Sequence, residues 1–260
     1  MDKRQVVVIT AGATGGLGGA LARLHLEQGD QVIATGRSEA GLTALREQLG
    51  NPDNLRCYLL DVTDADGCAK LADWIKQNYG TCDLLYNNAG TALFAPFADM
   101  DLQQIKQIVD TNISGLLYMT HALLPLMLAA NSGHIVNIGS LAGQVATAKA
   151  AVYAGSKAAV NRFSEGLRHE LADTGIFVTS VLPGPIDTPF LNRADQSGAY
   201  RGKVARYLLT PEETAKLILR AVKRKRDEAA MPRRLHLLSL FYLLLPSGLK
   251  RLAAPLLNRK

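Results

Sequence analysis

The chain has 260 residues, 48% hydrophobic and 20% charged. That is enough to bury one α/β core, and there is no low-complexity tract, internal repeat or polar linker of the kind that marks disorder or a domain break. The formal net charge of +6 is concentrated: residues 216–260 hold 12 Lys/Arg against two acids, and the rest carries 17 basic against 21 acidic residues. The basicity therefore belongs to a tail, and with no recognisable nucleic-acid module it does not point to nucleic acid.

The apolar run 6–9 behind Asp2, Lys3 and Arg4 is too short for the core of a signal peptide, so a cytoplasmic setting is expected. Cys57, Cys68 and Cys82 fit neither a metal-ligand pair nor a disulfide framework. They are expected to be reduced and buried or incidental, and no metal is expected. The sequon that starts at Asn112 needs secretion to matter.

In chain order, β-branched runs at 5–10, 31–36, 55–60, 84–87, 134–139 and 176–182 read as strands. Helices are expected at 16–28, 39–49, 64–78, 101–130, 151–174 and 211–226. Strands that are apolar without alternation suit a parallel sheet covered on both faces, a doubly wound, Rossmann-type α/β fold with helical crossovers. Ligands then belong at the carboxyl ends of the strands. Residues 1–232 read as the dinucleotide-binding and catalytic domain, and 233–260 as a basic, leucine-rich helical extension of it.

After the first strand comes Ala11-Gly12-Ala13-Thr14-Gly15-Gly16-Leu17-Gly18, leading straight into a helix. Glycines at 12, 16 and 18 allow a sharp turn and a close approach to a pyrophosphate held on helix N–H groups, although a Gly-rich turn with no ligand reads the same way. At the end of the second strand stand Gly36-Arg37-Ser38, with no acid for a ribose diol. The Arg37 fork can pair with a 2′-phosphate and Ser38 can add a hydrogen bond, which favours NADP(H); an exposed arginine at a helix start is the alternative.

In Tyr153-Ala154-Gly155-Ser156-Lys157, Tyr153 and Lys157 share one helix face. A lysine field can lower the pKa of a tyrosine toward useful acid/base chemistry, each unit being worth about 1.4 kcal/mol.

These motifs together with Asn87-Asn88-Ala89-Gly90 and Ile135-Val136-Asn137-Ile138-Gly139-Ser140 make the chain resemble the short-chain dehydrogenase/reductase family from about residue 5 to 226. The resemblance implies a hydride transfer between NADP(H) and a small-molecule ketone, aldehyde or secondary alcohol in a homo-oligomer, dimer or tetramer. It makes Tyr153 the general acid/base, gives Lys157 the nicotinamide ribose, and places Ser140 on the substrate oxygen. Asn112 becomes the anchor of a proton relay, with a plain helix-surface asparagine as the alternative.

The resemblance also puts Asp61 and Val62 at the adenine, though Asp61 equally suits a helix N-cap. It sets Asn88, Ala89 and Gly90 beside the ribose, with Asn87 bracing the sheet. Pro183, Gly184, Ile186 and Thr188 fall at the nicotinamide, or in a turn that merely ends a strand. Two departures stand out: Ala11 occupies the family's usual threonine position, putting one turn-stabilising hydrogen bond in doubt. Gly139 replaces a serine and is expected to open space beside the substrate.

The connection 185–209, with Phe190, Leu191, Tyr200 and Tyr207, resembles the family's mobile lid; Leu93, Phe94, Pro96, Phe97, Leu141, Ala142, Val145 and Ala146 suit apolar pocket walls, with core packing as the alternative. Residues 235–245 are too few to span a bilayer. That tail has three readings: a peripheral anionic-membrane contact, a wall over the substrate site, or packing against a second subunit or the domain edge. The function read from the whole is reduction of an apolar or lipid-like carbonyl. The alternatives are 3-oxoacyl carrier-protein reduction and a non-catalytic dinucleotide-sensing or scaffold role.

Overall fold

The computed structural model describes residues 4–12, 16–195 and 198–258, with residue 199 and residues 253–258 as backbone alone. Seven strands form one parallel sheet: β1 (Val6–Ile9), β2 (Gln31–Gly36), β3 (Leu55–Leu59), β4 (Leu84–Asn87), β5 (Gly133–Ile138), β6 (Ile176–Pro183) and β7 (Glu228–Met231). Their order is β3-β2-β1-β4-β5-β6-β7, with Val8 of β1 aligned to Ile33 on one side and Leu85 on the other. The chain winds outward in both directions from the β1/β4 pair. The crevice where the order reverses therefore opens at the carboxyl ends of those two strands.

Alternation along β1 divides the core. Val7 and Ile9 face a cluster covered by α1 (Gly16–Glu27), α2 (Glu39–Gln48) and α9 (Pro211–Lys223), which contribute Leu21, Leu45 and Ile218. Val6 and Val8 face a second cluster under α3 (Ala65–Tyr79), α5 (Gly115–Ala130) and α6 (Ala151–Glu170), including Leu71, Leu123 and Leu167. Each fully buried aliphatic side chain is worth roughly 1.5–3 kcal/mol, so two apolar faces hold the sheet and explain why its strands lack alternation.

The six expected strands form, and β7 is an addition. Glu228-Ala229-Ala230-Met231 lacks the β-branched and aromatic residues that mark a strand, and it pairs only with β6, at the sheet edge. The single helix expected at 101–130 is interrupted. After α4 (Leu102–Val109), opened by an Asp101/Gln104 capping box, residues Asp110–Ser114 adopt one π-helical turn before α5.

The run Leu102–Ala130 is the one helix among the described residues long and apolar enough to cross a membrane. Met119, Leu123 and Met127 of α5 are nonetheless fully buried under the sheet. Beyond β6 lie two short helices, α7 (Pro189–Ala194) and α8 (Ala199–Val204), and the chain ends in α10 (Arg233–Leu244) and α11 (Ser247–Asn258). The cysteines are free, with Cys68 and Cys82 buried and Cys57 half-buried.

Candidate active site at the carboxyl ends of the strands

The turn after β1 is held to the turn after β4 by Thr10. Its hydroxyl accepts the backbone N–H groups of Asn88 and Ala89, both at 2.9 Å, and donates to the Tyr86 carbonyl at 3.3 Å. Asn88 returns the link by donating its amide to the Thr10 carbonyl at 3.0 Å. The threonine one place early in the sequence thus supplies a turn-stabilising bond that the alanine at position 11 cannot.

Gly16 has φ +63, and a Cβ there would lie 2.9 Å from Thr188 Cγ2. At Gly18 a Cβ would come within 3 Å of Asn88 Nδ2, the Ala11 carbonyl and Gly12 Cα. The glycines let the first helical turn, the β4 turn and the Thr188 segment crowd together around one N-terminus, where unpaired N–H groups favour an anion. Leu17 is buried behind that turn, while Thr14 and Gly15 lie outside the described residues.

The neighbouring cleft, about 320 Å³, is lined by Arg37, Asp61, Thr63, Gln103, Gln107, Asp110 and Thr111. Arg37 is 61% exposed, with Nη1 4.0 Å from Asp61 Oδ2. So loose a surface pair contributes little to stability and leaves the guanidinium available. Ser38 caps α2 by accepting the Gly41 N–H at 3.3 Å.

Asp61 does not cap a helix. Its carboxylate accepts the Thr63 N–H and hydroxyl at 3.0 and 2.9 Å, and Asp64 takes the N-cap position of α3. The Val62 side chain is buried against Gly115, where a Cβ would lie 2.6 Å from it, so only its backbone faces the cleft side.

The second group of residues gathers where β5, β6 and α6 meet. Ser140 follows β5 and caps the turn Leu141–Gly143, its hydroxyl accepting the Ala142 N–H at 3.0 Å and donating to the Pro183 carbonyl at 3.4 Å. Ser140 lies close enough to Tyr153 to favour its phenolate, pulling the pKa down. One turn along α6, Lys157 is buried and donates from Nζ to the Ile138 carbonyl at 2.7 Å. Burial lowers its pKa from 10.5 to about 8.

The expected lowering of the tyrosine is not what the structure shows. Burial pushes Tyr153 up to about 12, with Ser140 pulling the other way and Tyr200 adding to the rise. The Lys157 ammonium is engaged with a backbone carbonyl, and the aromatic surroundings of Tyr153 disfavour its anion. The phenol of Tyr153 is therefore protonated at neutral pH.

Asn112 sits in the π-helical turn and is buried. Its amide donates to the Thr91 carbonyl and to Ser156 Oγ, both at 2.9 Å, while its oxygen accepts the Thr91 N–H at 2.8 Å. Ser156 passes the chain on to the Tyr153 carbonyl at 2.7 Å. Asn112 is therefore no helix-surface residue: it ties α6 to the strand-end loop at 90–91. A Cβ on Gly90 would stand 3.5 Å from both Lys157 Nζ and Asn112 Oδ1, so the glycine keeps that side of the lysine open.

The lid closes over this group. Phe94 donates its N–H to the Ala194 carbonyl at 2.7 Å, and Tyr200 N–H reaches Asp195 at 2.6 Å. The Phe94 ring meets Tyr153 edge-on at 6.0 Å and Tyr200 at 4.8 Å, and Phe190 lies 6.0 Å from Tyr153. Arg201 pairs with Asp187 at 2.6 Å at the mouth.

The short chain dehydrogenase family model matches residues 5–198. The chain belongs to the short-chain dehydrogenase family. A relative from Staphylococcus saprophyticus, named an uncharacterized oxidoreductase, is 35% identical over 86% of this chain and 93% of its own length. The Escherichia coli NADP-dependent 3-hydroxy acid dehydrogenase is 37% identical over 82% of this chain and 87% of its own. A solved serine dehydrogenase in complex with NADP+ superimposes with a TM-score of 0.80 at 34% identity, covering 87% and 94% of the two chains.

Within this dehydrogenase, Ser140, Tyr153, Lys157 and Asn112 lie close to one another, and Arg37 and Asp61 line the cleft described above. Pro183 and Gly184 end β6, with Gly184 N–H on the Met231 carbonyl at 2.6 Å; Ile186 bridges to Leu209 and Thr188 abuts Gly16. Gly139 does not open substrate space: a Cβ there would run into Asn161 Oδ1, so the missing side chain accommodates Asn161.

Asn87 bonds Thr120 and Asn137 at 2.9 and 2.8 Å inside the sheet, a brace between β4 and β5. Sequence reasoning missed the bonding of Thr10, Thr91 and Ser156. A hydroxyl just past β1 was the available signal for the first; the other two give none locally.

Proposed function

We propose that this dehydrogenase uses NADPH to reduce an apolar ketone or aldehyde, with Tyr153 as the proton donor. The observation that carries the reading is Tyr153 beside Ser140, walled by Phe94 and Phe190 and one helical turn from a buried lysine. The glycine cradle, which a Cβ would fill at Gly16 and Gly18, fits a dinucleotide diphosphate, and Gly12 and Leu17 belong to the same turn. Arg37 would hold a 2′-phosphate with Ser38 at its side. Asp61 and Val62 would border the adenine, while Asn88, Ala89 and Gly90 would border the ribose with Lys157.

The bound nicotinamide supplies hydride to the carbonyl carbon. Ser140 donates a hydrogen bond to the carbonyl oxygen and Tyr153 gives that oxygen its proton, leaving an alcohol and a phenolate that solvent reprotonates. The Lys157 ammonium stabilises the developing negative charge in a site from which the lid excludes water. Asn112 holds the α6 turn beneath them. The aromatic walls support an apolar substrate. The NADP dependence named for one relative and the NADP+ complex of another support the cofactor, and their acid substrates, 3-hydroxy acids and serine, define the competing substrate class for a screen.

Titration of NADPH and NADH into the wild type and Arg37→Ala tests the cofactor reading. A charge-assisted phosphate contact at an exposed site is worth about 1.5 kcal/mol, so Arg37→Ala is expected to bind NADPH about tenfold more weakly and NADH unchanged. Equal binding of both dinucleotides by the wild type contradicts it.

A further inference from the structure

The C-terminal helices reverse the usual arrangement of a surface helix. In α10 the buried residue is Ser239, whose hydroxyl lies 2.8 Å from Gln144 Oε1 and donates to the His236 carbonyl at 2.7 Å. Its solvent face carries Leu237, Leu238, Phe241 and Leu244, at 57–84% exposure, and Leu249 and Leu252 of α11 are exposed as well. Eight of the fifteen large hydrophobic residues exposed among the described residues fall between 237 and 252. Scattered exposed leucines need no explanation, but such a concentration in one short stretch of two successive helices marks a surface that something covers.

Charge selects the occupant. From residue 229 to 260 there are six Lys/Arg and no Asp or Glu. A second copy docking through the same helices would bring Arg233, Arg234, Lys250 and Arg251 of each copy together, at a cost that grows as the interface excludes water. Anionic lipid headgroups match the charge, and the leucines match the acyl boundary beneath them.

The attachment also has a direction. Gln144 follows the Ser140 turn, and Leu235 packs on Gly184, where a Cβ would lie 3.1 Å from its Cδ2. The apolar face is thus carried on a helix anchored to the two loops that border Tyr153.

We propose that α10 and α11 dock this dehydrogenase on an anionic membrane surface, with the exposed leucines and Phe241 inserted at the acyl boundary and the substrate-side loops held against it. The docking face does not depend on the substrate reading above, since it rests on the tail's exposure and charge alone.

The test is sedimentation of the full chain with vesicles of phosphatidylcholine alone or mixed with phosphatidylglycerol. The wild type is expected to pellet with the mixed vesicles, to stay in solution with the neutral ones, and to be released by salt. Each basic residue near an anionic surface contributes about 1 kcal/mol, so Arg234→Ala/Arg251→Ala should weaken partition about thirtyfold. Phe241→Ser/Leu244→Ser should abolish it, with thermal midpoint and dinucleotide binding unchanged as the check that the domain is intact. Absence of binding to the mixed vesicles overturns the proposal, as does wild-type partition of both variants. So does a lipid-free dimer that light scattering shows to dissociate in Phe241→Ser/Leu244→Ser while vesicle binding is absent.

Discussion

Two buried polar clusters lie at opposite ends of the same sheet, and their chemistry differs less than their surroundings. At the amino ends of the strands His25 bridges Asp30 at 2.7 Å and the Tyr86 hydroxyl at 2.9 Å, an Asp-His-Tyr line that on paper has the makings of an acid/base relay. All three are buried within helix α1, the turn after it and β4, and the His25 and Tyr86 rings lie 5.5 Å apart. Burial drives the Tyr86 hydroxyl far above its usual range, with the nearby Asp30 adding to the rise.

At the carboxyl ends Ser140 and Lys157 are also buried and Tyr153 is half-buried, but they border the switch-point crevice and two short helices. The difference teaches that a hydrogen-bonded acid/base line becomes a candidate site only where the topology leaves a place for a reacting atom. The first cluster ties α1 to β4, whereas the second borders the crevice.

The comparison can be broken most forcefully at Lys157. Lys157→Met should lower kcat/KM for carbonyl reduction by about 10²–10³-fold, the range for loss of one preorganised electrostatic group, without lowering the thermal midpoint. The same residue sets a pH signature. With its pKa lowered to about 8, the ammonium is charged below that pH and neutral above it. Wild-type kcat/KM should accordingly be level toward neutral pH and fall as pH rises through about 8. A profile that rises there would contradict the role given to the charge.

At the other end the expected pattern reverses. Tyr86→Phe leaves His25 Nε2 without its 2.9 Å partner and should cost about 1–3 kcal/mol of stability in denaturant titrations, with turnover per folded molecule unchanged. The smallest effect belongs to Asp30. Burial alone would raise its pKa, but hydrogen bonds from His25 and the Gln5 N–H bring it below 3.8. A depressed carboxyl contributes stability that is present above 3.8 and lost as pH falls through the folded value. The stability gap between wild type and Asp30→Asn, about 1 kcal/mol at neutral pH, should therefore close as pH is lowered through that range.

Much of this was legible in the sequence because burial on both faces of a parallel sheet leaves unbroken β-branched runs, and because the glycine turn and the Tyr153/Lys157 pair depend on local spacing. What was not legible depends on contacts between distant segments. Strand β7, alanine-rich and at the edge, carries no propensity signal. The threading of Asn112 to Thr91 and Ser156 follows from a π-helical turn that no periodicity announces.

Two readings failed because a neighbour outside the motif decided the matter. Gly139 makes room for Asn161, and burial among aromatic rings raises Tyr153 where the local spacing alone pointed to a lowered value. The tail's charge and leucine content were plain, but only the structure shows that its leucines face outward while Ser239 faces in.

The most direct test of the central claim is NADPH consumption by Tyr153→Phe beside Tyr86→Phe, on a panel of apolar ketones and aldehydes together with 3-oxo acids. Loss of the proton donor should reduce turnover by about 10²–10⁴-fold in Tyr153→Phe, with NADPH still bound and the thermal midpoint retained, while Tyr86→Phe turns over normally and melts earlier. Turnover that survives in Tyr153→Phe, or that disappears in Tyr86→Phe while the fold is intact, would contradict the assignment of the chemistry to the carboxyl ends of the strands.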